Sequence, residues 1–285
     1  MLSLKTKEMI ETVATTTLQQ FTAIGLKPHE LAISLIQLGV DQDAEGNYRG
    51  DEKIYPASVV KLFYLVAAHS WLEDGRLEET DELNRALTDM IVESSNDATH
   101  YVIDLLTATT SGPELPPGAM QEWAKKRNAV NEYFSELGYQ NLNICQKPWG
   151  DGPFGRERVF VGEDYTNRNM LTTNATAKLL VQIAESKCIT PIRSSSMLSL
   201  LERDYGKPND DPEDQATKFF GAGLPPKCRL WSKAGWTSTV RHDAAIIELP
   251  SGKRFVLVAF TIGHSKEPRI LPFITEETLK HLGNH

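Results

Sequence analysis

Long hydrophobic runs are missing from this sequence. No stretch approaches the roughly 18 apolar residues a membrane-spanning helix needs. Charges interrupt every turn of the N-terminus, MLSLKTKEMIETVATTTLQQ. With no unbroken apolar centre and no cleavage site, that segment does not read as a secretory signal, which by itself leaves the compartment open. Cysteine is scarce. Cys145, Cys188 and Cys228 are odd in number and far apart, which excludes a disulfide framework or a zinc site and leaves reduced, buried thiols. His69, His100, His242 and His264 lack paired ligand spacing, so no metal or cofactor is expected. His242-Asp243 reads as structural. Basic charge is also in short supply: 30 Lys and Arg against 38 Asp and Glu give a net charge of −8. That argues against nucleic acid and anionic membrane as partners. The one dense basic run, AKKRNAV at 124–130, reads as a solvated helix face. Internal repeats and low-complexity tracts are absent.

What remains is an ordinary globular composition, 40% hydrophobic and 24% charged over 285 residues. Residues 8–25 read as an amphipathic helix stopped near Gly25. LAISLIQLG at 31–39 reads as a strand, and NYRGDEKIYP as its return across a polar turn. A helix is expected from about Ser58 to Asp74, ended by Gly75. TDELNRALTDMIVE at 80–93 has helical spacing, and ATHYVIDLLT follows after the break SSND. One helix is expected over 119–137. Residues 139–170, rich in Gly, Pro, Asn and aromatics, read as a long irregular loop of the kind that carries function. Helices resume at about 174–187 and 191–204, and DYGKPNDDPEDQ reads as an acidic surface linker. CRLWSKAGW, RHDAAIIELP and KRFVLVAFTIG read as strands, with PSGK as the turn between the last two. TEETLKHLG closes the chain as a helix capped at Thr275. The pattern predicts an α/β (α+β) protein: a mixed antiparallel sheet built from both termini and flanked by helices, plus an all-helical part. It is read as a single domain over 1–285, with an α/β lobe from 1–57 and 206–285 and a helical lobe at about 58–205.

Three short motifs carry chemistry. Ser58-Val59-Val60-Lys61 opens an otherwise apolar helix. Positions i and i+3 share a helix face, so the hydroxyl and the amine meet, and an amine of lowered pKa accepts a hydroxyl proton. With 17 Ser and 17 Lys in the chain, such a spacing arises about once by chance. A helix-start serine with a snorkelling lysine is the competing reading. Ser94-Ser95-Asn96 sits at a helix break, where the side chains either enter a cleft or cap a helix. Lys233-Ala234-Gly235 lies on a core strand, where glycine permits close backbone approach. Its lysine either faces a carboxylate ligand or snorkels to water.

In order, the three match the S-x-x-K, S-D-N and K-T-G set of class A β-lactamases and penicillin-binding proteins. The chain resembles that serine β-lactamase/transpeptidase superfamily over roughly residues 30–285, most closely class A. RHDAAIIELPSGKRFVLVAFTIG resembles the family's paired strands, and RNMLTTNATAKLL its exit from the active-site loop. The resemblance implies Ser58 as nucleophile, Lys61 as its base, Ser94 as proton relay and Lys233 as the cation beside it. Asn96 would hold the substrate amide. The N–H groups of Ser58 and Trp236 would form the oxyanion hole. Thr237 or Ser238, with Lys233 and Arg241, would bind the substrate carboxylate. Gly235 would let the substrate approach the strand. The implied substrate is a small β-lactam or acyl-D-Ala compound, and a monomer without cofactor is expected, although the family usually works outside the cytoplasm.

The pattern also breaks. The family's deacylating glutamate, in an E-x-x-L-N-type motif, has no counterpart here. Glu157 is the nearest candidate, with Glu163 and Asp164 as alternatives, and each also reads as a solvated loop carboxylate. Ser95 stands for the Asp of S-D-N and Ala234 for the Thr of K-T-G. The expected function is a serine hydrolase of the β-lactamase type. The alternatives are a D-alanyl-D-alanine carboxypeptidase or esterase, or a penicillin-binding sensor that acylates without fast turnover.

Overall fold

β-Branched and aromatic residues crowd the C-terminal third of the chain, and the sheet is centred there. The structure, a computed structural model, describes residues 6–40, 44–149, 152–207 and 209–282. The N-terminal five residues, the polar turn at 41–43, residues 150–151 of the loop and Pro208 of the linker lie outside the described residues. In chain order the strands are β1 (Leu31–Leu38), β2 (Glu45–Tyr48), β3 (Glu202–Arg203), β4 (Arg229–Ser232), β5 (Gly235–Trp236), β6 (Val240–Glu248) and β7 (Arg254–Ile262). They form one antiparallel sheet in the order β2-β1-β7-β6-β4-β3, with β5 also on β6. β6 and β7 run from Val240 opposite Ile262 to Glu248 opposite Arg254. Gly252, at φ +84°, turns the chain between them.

Strand alternation sorts the core into two faces. On β7, Phe255, Leu257 and Ala259 face one way, with Ile33 and Leu35 of β1 and Ala245 and Ile247 of β6. The helices α1 (Thr6–Gln20) and α10 (Ile270–His281) cover that face with Ile10, Val13, Leu271 and Ile274. Val256, Val258 and Phe260 face the other way. There α2 (Lys61–Glu73) and α8 (Thr173–Ala184) pack on them, backed by α3 (Asp81–Ile91), α4 (Asn96–Thr107), α5 (Pro117–Arg127), α6 (Ala129–Glu136), α7 (Gly155–Val161) and α9 (Pro191–Leu201). Threonines start three of these: Thr80, Thr172 and Thr190 accept from the backbone N–H of Leu83, Ala175 and Arg193. α2 is buried from Lys61 to Leu72 except at Ser70, so it forms the centre of the helical layer.

The mixed antiparallel sheet with ten helices among the described residues matches the expected fold class. Six local expectations are corrected. The return strand read over NYRGDEKIYP is β2, Glu45–Tyr48, and ends where that stretch begins, and Arg127 of the basic run is buried rather than solvated. The helix expected over 119–137 is two, broken at Asn128, whose side chain folds back on the Ala124 carbonyl and is also bonded by Asn131. The segment 139–170 is not wholly irregular, for it contains the two turns of α7. α10 begins at Ile270, because Pro272 sits in its first turn, where a missing N–H costs nothing. Thr275 is inside that helix, its hydroxyl on the Leu271 carbonyl. The acidic linker, finally, is not all surface, since Gln215 is buried at its end.

Candidate active site

Pro56 and a strained residue launch the Ser58 turn. Ala57 has φ +46°, a left-handed conformation that costs a non-glycine residue about 1–2 kcal/mol. A 3₁₀ turn, Ala57–Val60, follows and runs into α2. Ser58 is half-buried in the first turn, where backbone N–H groups have no intrahelical acceptor. His242 on β6 pins this entry. Its Nδ1 accepts from Thr261 N at 3.0 Å, which leaves the proton on Nε2 to donate to the Tyr55 carbonyl at 2.9 Å. Burial lowers the pKa of that ring to about 4, so the neutral tautomer persists at ordinary pH.

Lys61 is fully buried at the head of α2. Its ammonium donates to Ser94 O at 2.6 Å, Asn96 Oδ1 at 2.9 Å and Ser94 Oγ at 3.3 Å. Desolvation lowers its pKa to about 7. The break between α3 and α4 serves both readings of its sequence at once. Ser95 is the helix cap, accepting from Ala98 N at 3.1 Å, while Ser94, at φ +56°, and Asn96 turn toward Lys61.

Lys233, between β4 and β5, is fully buried as well. Its ammonium donates to Ser94 Oγ at 3.0 Å, to Ala234 O at 2.9 Å and to Gln215 Oε1. The two ammonium groups thus share one hydroxyl, that of Ser94. Burial first, and then the Lys61 and Arg203 charges, push the Lys233 pKa well down. β5 lies directly against the Ser58 turn. A Cβ on Gly235 would come 2.7 Å from Pro56 O and 2.9 Å from Ser58 N, so no other residue fits there. Lys233 N and Thr237 N both bond across to β6, at Ala244 O and Val240 O. By strand alternation the Trp236 N–H leaves the opposite edge.

Lys61, Ser94, Asn96 and Lys233 are therefore joined by direct bonds, and Ser58 and Gly235 by backbone approach. Trp236 ends β5, Thr237 follows it with its N–H on Val240 O, and Ser238 beyond is exposed. Arg241, paired with Trp236, lies over the Phe219 ring at 3.9 Å with Nη2 on the Lys218 carbonyl. Its buried Nε has no partner.

Glu157 has other neighbours than a deacylating base requires. It is buried in α7 in a two-point ion pair with Arg127 at 2.8 and 3.0 Å, and it accepts from Ser111 at 2.9 Å. Lys147 and Asp104 complete that network. None of its bonds reaches Ser58, Lys61 or Asn96. Glu163 and Asp164 are exposed. Among the described residues no carboxylate forms an ion pair with Lys61 or Lys233. Glu157→Ala leaves Arg127 buried with a weakened counter-charge, a loss on the order of 3–5 kcal/mol. The expected result is a melting temperature lower by about 10 °C. A variant that keeps its melting temperature and loses only release of an acyl group would identify Glu157 as a base instead.

Gln215 is the site residue that periodicity and motif missed. It sits in a run of acids and turn formers with no regular spacing, and only its bond to Lys233 reveals it.

The chain belongs to the Beta-lactamase enzyme family, whose model matches residues 17–278. No curated protein matches the sequence. Solved structures share the fold. They include a mutant of PBP-A captured as an acyl-enzyme complex with penicillin G (TM-score 0.69, 17% identity, 96% of this chain and 97% of that one). Another is a β-lactamase from Sphaerobacter thermophilus DSM 20745 (TM-score 0.71, 19% identity, 95% and 97%). A third is a class A β-lactamase from Bacteroides cellulosilyticus DSM 14838 (TM-score 0.68, 12% identity, 96% and 98%).

Proposed function

We propose that this protein is a serine hydrolase of the β-lactamase type that acylates readily and releases its acyl group slowly. The observation that carries the reading is the shared Ser94 hydroxyl, held between two buried ammonium groups. Ser58 Oγ attacks the β-lactam carbonyl carbon, and its proton passes to the free amine of Lys61, directly or through a water. The N–H groups of Ser58 and Trp236 receive the oxyanion, a contribution of about 3–4 kcal/mol per donor where one has been removed elsewhere. When the C–N bond breaks, the departing nitrogen takes the Ser94 proton, which the neighbouring lysines restore. Asn96 holds the substrate amide. Thr237 or Ser238, Lys233 and Arg241 face the substrate carboxylate.

Deacylation is the weak step. Water must be deprotonated to attack the ester, and Glu157 is engaged by Arg127. Among the described residues of the site, Lys61 is the remaining base, and it already serves acylation. Intact-mass measurement over time after mixing with penicillin G tests this. A mass increment of one penicillin appears quickly and decays over minutes or longer. Immediate turnover with no adduct, or no adduct and no turnover, contradicts it.

That no described carboxylate pairs with Lys61 also favours a second reading, a D-alanyl-D-alanine carboxypeptidase or esterase. Release of D-Ala from an acyl-D-Ala-D-Ala peptide, faster than nitrocefin hydrolysis, would establish that substrate class.

A further inference from the structure

Lys233 is a buried cation with no carboxylate in hydrogen-bond or ion-pair contact among the described residues. A buried ammonium ordinarily needs a counter-charge or a full set of acceptors. Here the acceptors are neutral: the Ser94 hydroxyl, the Ala234 carbonyl and the side-chain amide of Gln215. Gln215 does more than accept one bond. Its Oε1 also receives Ala234 N at 3.3 Å, and its Nε2 donates to Val92 O at 2.9 Å. Val92 ends α3, two residues before Ser94. One side chain, 8% exposed, therefore ties the Lys233 strand to the Ser94 turn. Its own backbone is fixed next door, where the Asp214 carboxylate accepts from Thr217 N at 2.7 Å and Thr217 Oγ1 at 2.6 Å.

We propose that Gln215 is a positioning residue for acylation: its uncharged amide holds the Lys233 ammonium on Ser94 Oγ while adding no negative charge to the two-lysine site. The inference rests on the reading of Ser58 as nucleophile. The charges that face Lys233 are Lys61 from α2, Arg203 from β3 and Asp243 from β6. Asp243 is itself buried, held by Phe220 N and Ala244 N, and its pKa is raised to about 6. A carboxylate at position 215 would pair with Lys233, and its field would also favour protonated Lys61. The base would then be lost at neutral pH. An amide offers the same acceptor geometry without that field.

The test is stopped-flow acylation by penicillin G from pH 5 to 9 in the full-length protein and in Gln215→Glu and Gln215→Ala. Gln215→Glu keeps the acceptor and is expected to move the rising limb of acylation upward by about one pH unit. Gln215→Ala loses the acceptor of a charged donor. It is expected to acylate on the order of tenfold more slowly across the range, with the limb unmoved. A purely structural role would lower the melting temperature and leave the acylation rate of a folded Gln215→Ala at the wild-type value. An unmoved limb in Gln215→Glu, or a wild-type rate in a folded Gln215→Ala, overturns the proposal. Should the alanine variant not fold, the glutamate variant alone decides. No labelling of the wild-type protein at any pH would sink the Ser58 reading, and this one with it. Labelled wild type with unchanged variants overturns the Gln215 role alone.

Discussion

Ser58→Ala is expected to abolish the penicillin adduct while leaving the melting temperature within a few degrees of wild type. The substitution removes one oxygen from a half-buried position. The turn around it is held by other groups: Val59 N on Pro56 O, and His242 on Tyr55 O. Changes at such positions usually fall within about 0.5 kcal/mol when no special feature is lost. Ser94 is the other hydroxyl of the site, but its oxygen already receives both ammonium groups and its residue sits in a strained turn. Intact-mass spectrometry with a thermal melt reads both halves of the result. An adduct that persists at full occupancy in the folded variant would remove Ser58 from its role.

Lys61→Met is expected to slow acylation by about 10²–10⁴, the usual contribution of a positioned base. Methionine fills similar volume, so the loss reports chemistry more than a cavity. The pH profile supplies the sign. Burial lowers the lysine from its ordinary 10.5 to about 7. Below that value the amine is protonated and cannot accept the Ser58 proton. Acylation by the wild-type protein therefore rises through about pH 7 and levels off above it. In Lys61→Met the slow residual reaction is expected to lack that limb. A variant with an unchanged rate, or with the limb still in place, would show that another group takes the proton.

Much of this arrangement was legible in the sequence because it is written in short local signals. Ser58 and Lys61 are three apart, although no hydrogen bond joins their side chains, the Ser94-Ser95-Asn96 break interrupts two periodic helices, and Gly235 marks a close approach, here to Pro56 and Ser58 of its own chain. Strands rich in Val, Ile and Phe announced the sheet. What escaped has no local trace. Glu157 and Arg127 are thirty positions apart in chain order and pair only after α5 and α7 pack. α7 itself is a seven-residue helix without a side-chain cap, starting at Gly155, where the backbone passes tightly over Gly112. Gln215 follows a run of acids that reads as solvent-facing, and tertiary contact with Lys233 overrides that composition. The Asn128 break gives no warning from hydrophobic spacing, since the helices on either side keep it.

The pairing of Leu31 with Thr261 has a consequence for how the chain matures. β1 finds its place between β2 and β7 only after β7 has been synthesised, so the sheet closes late and across most of the polypeptide. Contacts of such long range slow folding, and an unpaired apolar edge invites association with other chains in the meantime. Refolding followed by circular dichroism and by penicillin labelling is expected to show helix returning before the adduct, and fragments that stop short of β7 are expected to give no adduct.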